Sequence, residues 1–158
     1  MKVVIASEFA GFPLKEFIKK YLIEKGHDVT DVGQQDEEHK VLYPQAASAL
    51  AKAIQSGKYD KGIVVCGSGA GVSIVCNKFK GVYCVACESM FTAQGIPQIN
   101  DANVLALGNN VTAQKKACAM VDLYLSRYFA YGETPERKEF LTGMLNDVKK
   151  IEYENFKD

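Results

Sequence analysis

The chain alternates short apolar runs with longer stretches in which apolar residues recur every three or four positions. Lys2-Val3-Val4-Ile5-Ala6 is a β-branched run of the kind that forms a strand buried on both faces. From Pro13 to Lys25, Leu14, Phe17, Ile18, Tyr21 and Leu22 fall at helical spacing, with Gly26 as a stop signal. Asp28 to Val32 reads as a second strand. Pro44 suits a first helical position, and Ala47, Leu50, Ala51 and Ile54 form an apolar stripe before Gly57. Gly62 to Cys66 is the third strand and the most apolar, followed by a glycine-rich turn and a short helix to about Asn77. Val82 to Ala86 and Val104 to Leu107 are the fourth and fifth strands, the latter ending at Gly108. Thr112 to Phe129 predicts an amphipathic helix with Ala117, Met120, Val121, Tyr124 and Leu125 on one side. Pro135 to about Tyr153 is helical and highly charged, a segment expected to lie across the surface or on a partner subunit.

Strands alternating with helices imply βαβ units, and right-handed crossovers then favour a three-layer αβα sandwich around a mainly parallel sheet of about five strands. Ligands in such sheets bind beyond the carboxyl ends of the strands. That rule selects Ser7 to Phe12, Cys66 to Gly71, Glu88 to Met90 and Gly108 to Val111. With no repeat, linker or low-complexity stretch, the 158 residues are expected to form one domain.

Composition narrows the partners. Nineteen basic residues balance nineteen acidic ones, which gives no basic patch for nucleic acid or an anionic membrane. No apolar stretch approaches the ~20 residues of a membrane span, and no signal peptide is visible, so the expected compartment is the cytosol. Five cysteines, an odd number, are expected to stay thiols there.

Cys66-Gly67-Ser68-Gly69-Ala70-Gly71 is the most informative stretch. Its three glycines let the backbone approach a ligand and aim several N–H groups at one oxygen. The helix that starts there favours an anion or a developing oxyanion and shifts a neighbouring cysteine toward thiolate. Cys66 can then serve as nucleophile or base; a buried packing cysteine beside a tight turn is the plainer alternative. Walker, dinucleotide and cysteine-phosphatase loops all fail on spacing, because Val72 and Ile74 stand where those loops need Gly, Lys, Ser/Thr or Arg. Cys84 and Cys87 form a Cys-x-x-Cys pair on a strand, where positions three apart face opposite ways, and no histidine completes a zinc site. A metal or redox role for this pair is not expected. His27 and His39 lie in loops away from the selected strand ends, and His27 is expected to cap a helix end. Glu8 is either a sugar-orienting or acid–base carboxylate or a solvated loop residue. Asn100-Asp101-Ala102-Asn103 suits a polyol or a turn.

Together, Ser7 to Phe12, Tyr43-Pro44, Gly62 to Ile74, Asn77-Lys78 and Asn100 to Gly108 resemble the B-type ribose-5-phosphate isomerases and their relatives, the galactose-6-phosphate isomerase subunits. The resemblance covers the chain to about residue 140. It implies a Rossmann-like sandwich that isomerises phosphorylated sugars without metal or cofactor, as a dimer or dimer of dimers with shared active sites. Cys66 would then move the proton between C2 and C1, while Ser68 and the turn Gly67, Gly69, Ala70 and Gly71 would stabilise the enediolate. Glu8, Phe9, Tyr43, Asn100, Asn110 and Arg137 would contact substrate, although for Tyr43 packing of the helix start is an equal reading.

The departures from the family pattern are specific. Glu8-Phe9 replaces Asp-His, and Ser68 replaces a threonine. Ile99 stands where a ring-opening histidine is expected, and Asn110 and Glu133 stand in for phosphate arginines, leaving Arg137. These changes predict an isomerase whose preferred substrate is not ribose 5-phosphate but an open-chain sugar phosphate such as a tetrose phosphate. The alternative is a non-catalytic homologue that binds a ligand or partners another chain.

Overall fold

The structure, a computed structural model, describes residues 1–156. Its elements are β1 (Lys2–Ser7), α1 (Phe12–Glu24), β2 (Asp28–Asp31), α2 (Tyr43–Gln55), β3 (Lys61–Cys66), α3 (Ala70–Cys76), β4 (Cys84–Ala86), α4 (Met90–Asn100), β5 (Val104–Gly108), α5 (Gln114–Leu125) and α6 (Pro135–Asn155). A single 3-10 turn, Phe9–Gly11, joins β1 to α1. The strands form one parallel sheet in the order β2-β1-β3-β5-β4.

Period-two alternation divides the strands between two cores. Val3, Ile5, Ile63, Val65, Leu105 and Leu107 pack under α1, α4 and α5. Val4, Ala6, Val64, Cys66, Val104 and Ala106 pack under α2 and α3. Both faces are covered, which is why the central strands β1, β3 and β5 read as nearly unbroken apolar runs. Truncating a fully buried residue such as Leu105 to alanine costs about 2–5 kcal/mol by this packing. Cys84 and Cys87 fall in opposite cores, as their spacing predicts.

Three elements differ from the sequence expectation. The fourth strand begins at Cys84 rather than Val82, because side chains take over its first hydrogen bonds. Asn103 accepts from the Tyr83 N–H and donates to the Gly81 carbonyl, both at 2.8 Å. Asn77 likewise accepts from the Cys84 N–H at 2.9 Å and donates to its carbonyl at 2.7 Å. The polar run before β5 is therefore in part a clamp on the edge strand. Secondly, α4 is a helix that the sequence pattern does not assign, since Gly95 and Pro97 lie inside it. Ser89 caps its N-terminus by accepting from the Thr92 N–H at 3.1 Å, and Ala93, Ile96 and Pro97 are buried. Thirdly, α5 is shorter than its apolar pattern, running only from Gln114 to Leu125. His27 closes α1 through its backbone, donating to the Leu22 carbonyl at 3.0 Å, and its ring makes no cap. On α6, Leu141 and Leu145 are buried, while Phe140, Met144, Val148 and Ile151 form an exposed apolar stripe.

Candidate active site

The carboxyl ends of β1, β3 and β5 converge on the Cys66 turn. Cys66 is the last residue of β3 and pairs in register with Gly108 of β5. The residue is 6% exposed, and its thiol sulfur accepts the Gly69 N–H at 3.1 Å. That contact requires the chain to double back, which Gly69 permits with a left-handed φ of 83°. The turn lies on Gly108, where a Cβ would stand only 2.6 Å from the Ser68 carbonyl carbon. The loop after β5 is laced to the turn: Asn109 donates to the Cys66 carbonyl at 2.9 Å and Asn110 to that of Gly67 at 3.0 Å.

Side chains bound the space over the turn. A Cβ on Gly67 would stand 3.3 Å from the Asn110 carboxamide nitrogen and 3.8 Å from the Ala10 methyl, and one on Gly71 3.1 Å from the Tyr43 ring. Tyr43 is half exposed at the start of α2. The Ser68 hydroxyl accepts the Ala70 N–H at 3.2 Å, which leaves its own proton free to donate. Among the described residues, the N–H groups of Gly67, Ser68 and Gly71 have no acceptor within the chain. A sulfur beside three free N–H donors and a hydroxyl is suited to proton transfer next to an oxygen that becomes negative.

Glu8 is buried rather than a solvated loop residue. Its carboxylate accepts the Gly11 N–H at 2.9 Å and so caps the 3-10 turn. Phe9, 45% exposed, follows it at the site wall, and its N–H donates to the Val41 carbonyl at 3.1 Å. Val41 is held in turn by the buried Gln34, whose side-chain oxygen accepts the Val41 N–H at 2.9 Å. Beneath this loop sits Lys15, fully buried, bonded to Asp31 at 2.5 Å and to the Gln34 carbonyl. The cation shields Asp31 from its burial: desolvation alone would raise that carboxyl, but Lys15, Lys19 and the Gly33 N–H hold it below the ordinary range. Lys15, Asp31 and Gln34 escape a reading confined to strand ends. The available signal is that Lys15 stands seven residues before Leu22, on the stripe that α1 buries.

The remaining candidates stand elsewhere. Ile99 and Asn100 lie at the end of α4, before β5 begins, and so about 13 Å along the strand from the Gly108 end. With Tyr83, Val85 and Met144 they line an apolar hollow of about 500 Å³. Glu133 accepts from Gln98 at 2.9 Å, and the Arg137 guanidinium lies 5.2 Å from the centre of the Phe140 ring. None of these four makes a hydrogen bond to the turn. Glu88–Met90 leads into α4 beside the edge strand and does not reach it by hydrogen bonds either. His39 pairs with Asp36 at 3.0 Å in an exposed loop, and burial lowers the pKa of the His27 imidazole far from the turn. No group of three or more His, Cys, Asp or Glu side chains among the described residues is placed to hold a metal ion. No helix among them is long and apolar enough to cross a membrane.

A parallel five-stranded sheet with a thiol and a glycine turn at the carboxyl ends of its strands is the arrangement of an α/β small-molecule enzyme, and sequence comparison makes the class specific. The Ribose/Galactose Isomerase family matches residues 3–141, and the chain belongs to that family of aldose–ketose isomerases. It is 42% identical over 152 residues to the 4-deoxy-4-sulfo-D-erythrose isomerase of Clostridium sp. (strain MSTE9), covering 96% of each chain. It is 38% identical over 143 residues to ribose-5-phosphate isomerase B of Escherichia coli (strain K12), covering 90% of this chain and 95% of that one. The solved structure of ribose-5-phosphate isomerase B from Clostridium thermocellum superposes with a TM-score of 0.88 at 34% identity, covering 98% of this chain and 99% of that one.

Proposed function

We propose that this chain, as one isomerase domain over residues 1–158, interconverts the aldose and ketose forms of an open-chain four-carbon sugar with an anionic group at C4. The observation that carries this reading is Ile99, an alkyl side chain where opening of a sugar ring calls for an acid–base group. A tetrose substituted at C4 by sulfonate or phosphate has no free C4 hydroxyl, cannot close a furanose, and needs no such group. The 42% identity to an isomerase named for a sulfotetrose supports the same substrate length.

In this mechanism the Cys66 thiolate removes the proton from C2 of the aldose and the electron pair moves onto the C1 oxygen. The N–H groups of Gly67, Ser68 and Gly71 and the Ser68 hydroxyl receive the developing charge, where one such donor is worth about 10²–10³ in rate. Cys66 returns the proton to C1, the proton on O2 passes to O1 by way of Ser68 Oγ, and the ketose is complete. Glu8 holds the turn that carries Phe9, and Tyr43 with Asn110 closes the sides of the cleft. Asn100 and Arg137 serve the cleft of a second copy, in a cytosolic homodimer that also covers the apolar stripe of α6. Their exposed position away from their own turn supports that arrangement.

The test is an isomerisation assay with 4-deoxy-4-sulfo-D-erythrose, erythrose 4-phosphate and ribose 5-phosphate, with Cys66→Ala as control. Turnover of a tetrose that disappears in the variant is expected. Ribose 5-phosphate turned over as fast as the tetroses would refute the reading.

A further inference from the structure

With Asn110 and Glu133 uncharged or negative, the chain must neutralise the anionic end of its substrate by other means. We propose that Lys40 is the residue that recognises the anionic group at C4, a specificity role that rests on the tetrose reading above. Its ammonium lies 5.3 Å from the centre of the Phe9 ring, on the wall of the cleft. Phe9 leads directly into Ala10, whose methyl bounds the space over Gly67. A tetrose lying with C1 and C2 on the turn carries its C4 substituent only three bonds further from C2, toward that wall.

Lys40 is exposed, and two features suit it to receive an anion. Its backbone neighbours are fixed: Val41 N–H to Gln34 at 2.9 Å and Phe9 N–H to Val41 at 3.1 Å on one side, His39 N–H to Asp36 at 2.8 Å on the other. Its charge also has no carboxylate within ion-pair distance among the described residues. Asp36, Glu37 and Glu38 precede it on the same loop, but Asp36 is engaged with His39. An ammonium resting on an aromatic face keeps its charge available while losing much of its side-chain freedom, so little further entropy is lost when an anion arrives. Phe9 thus serves as a platform for a cation supplied by a neighbouring loop.

The discriminating substrates are both open-chain and differ in the charged group at C4: 4-deoxy-4-sulfo-D-erythrose and neutral 4-deoxy-D-erythrose, whose C4 is a methyl group. Lys40→Met is expected to raise KM for the sulfonate about tenfold more than for the neutral sugar, the value of one charge-assisted hydrogen bond. Lys40→Arg should restore the discrimination, which a merely structural loss would not allow. Titration calorimetry with 4-deoxy-4-sulfoerythritol, which cannot isomerise, reads the same contact without turnover and should show a tenfold weaker Kd for the methionine variant. Equal effects on charged and neutral substrates, or an unchanged Kd for the sulfonated alcohol, would overturn the assignment of Lys40. A wild-type enzyme that isomerises no tetrose would overturn the functional reading instead, while the calorimetric comparison would still decide Lys40.

Discussion

Gly108→Ala places a methyl group where the active-site turn rests, and its effect can be worked from the geometry. The new Cβ would stand 2.6, 2.7 and 2.8 Å from the Ser68 carbonyl carbon, oxygen and Cα, against ordinary contact at 3.4 Å. All three are backbone atoms, so no side chain can swing aside. Gly108 is fixed in turn by its pairing with Cys66 and by accepting the Val111 and Thr112 N–H groups at 3.1 and 2.9 Å. The turn must therefore retreat by about 0.8 Å, carrying the Ser68 and Gly67 donors away from the reacting oxygens. A misplacement of about 1 Å costs on the order of 10²-fold in rate, while overpacking of this kind costs about 1–3 kcal/mol of stability. Isomerase kcat/KM is thus expected to fall about a hundredfold while Tm drops by only about 3–10 °C. Gly95→Ala, where the added methyl meets nothing within 4 Å, is the matched control and should keep both values near wild type. A Gly108→Ala enzyme within threefold of wild-type kcat/KM would refute the claim that β5 sets the height of the turn.

Two further predictions concern ionisation. Asp31 is held below the ordinary carboxyl range, so its contribution is present above the unfolded value of about 3.9 and is lost as pH falls through the folded one. Asp31→Asn should cost about 1–3 kcal/mol at pH 7, because the buried Lys15 keeps Glu16, 2.7 Å away, as its one remaining carboxylate partner, with the gap to wild type narrowing toward pH 2 in urea unfolding; a gap independent of pH would refute it. Burial, together with the Glu152 carboxylate 3.2 Å away, pushes the Tyr83 phenol up to about 12, so the stability it adds is intact below about pH 10 and fades between pH 10 and 12. Absorbance titration should show Glu152→Gln shifting one tyrosine to an earlier ionisation; no shift would mean that α6 is not docked on Tyr83 through this residue.

The sequence was legible where a single local signal decided the outcome. The apolar runs of β1, β3 and β5 were legible as strands because burial on both faces leaves almost no polar position to confuse the pattern. Cys66 and its glycines could be singled out because strand, cysteine and turn lie next to one another in the chain. Legibility ended where a contact joined distant segments. The start of β4 depends on carboxamides from Asn77 and Asn103, one before the strand and one after, and local propensity extends the strand to Val82 without them. The helix α4 was hidden by Gly95 and Pro97, each a breaker by itself, and is recovered by a serine cap and three buried residues. Glu8 illustrates the same limit at the site, since nothing in its immediate neighbours distinguishes a solvated carboxylate from the buried cap of a 3-10 turn.

The same distinction separates the two halves of the candidate site. The residues on the carboxyl edges of β1, β3 and β5 are brought together by sheet register alone, and Gly108 is essential because Cys66 pairs with it. Ile99, Asn100, Glu133 and Arg137 belong by position to the other end of the molecule, where no register links them to the turn. A reaction that needed a ring-opening group at position 99 would draw on that distant set. On the proposed tetrose reading the near set supplies the proton carrier, the oxyanion cradle and one cation, and Asn100 and Arg137 are contributed by a second copy. On the proposed reading the change at Ile99 is coherent because an open-chain substrate uses no ring-opening group, and the changes at Asn110 and Glu133 pass recognition of the C4 anion to Lys40, while the turn proposed for proton transfer keeps its sulfur, its hydroxyl and every glycine.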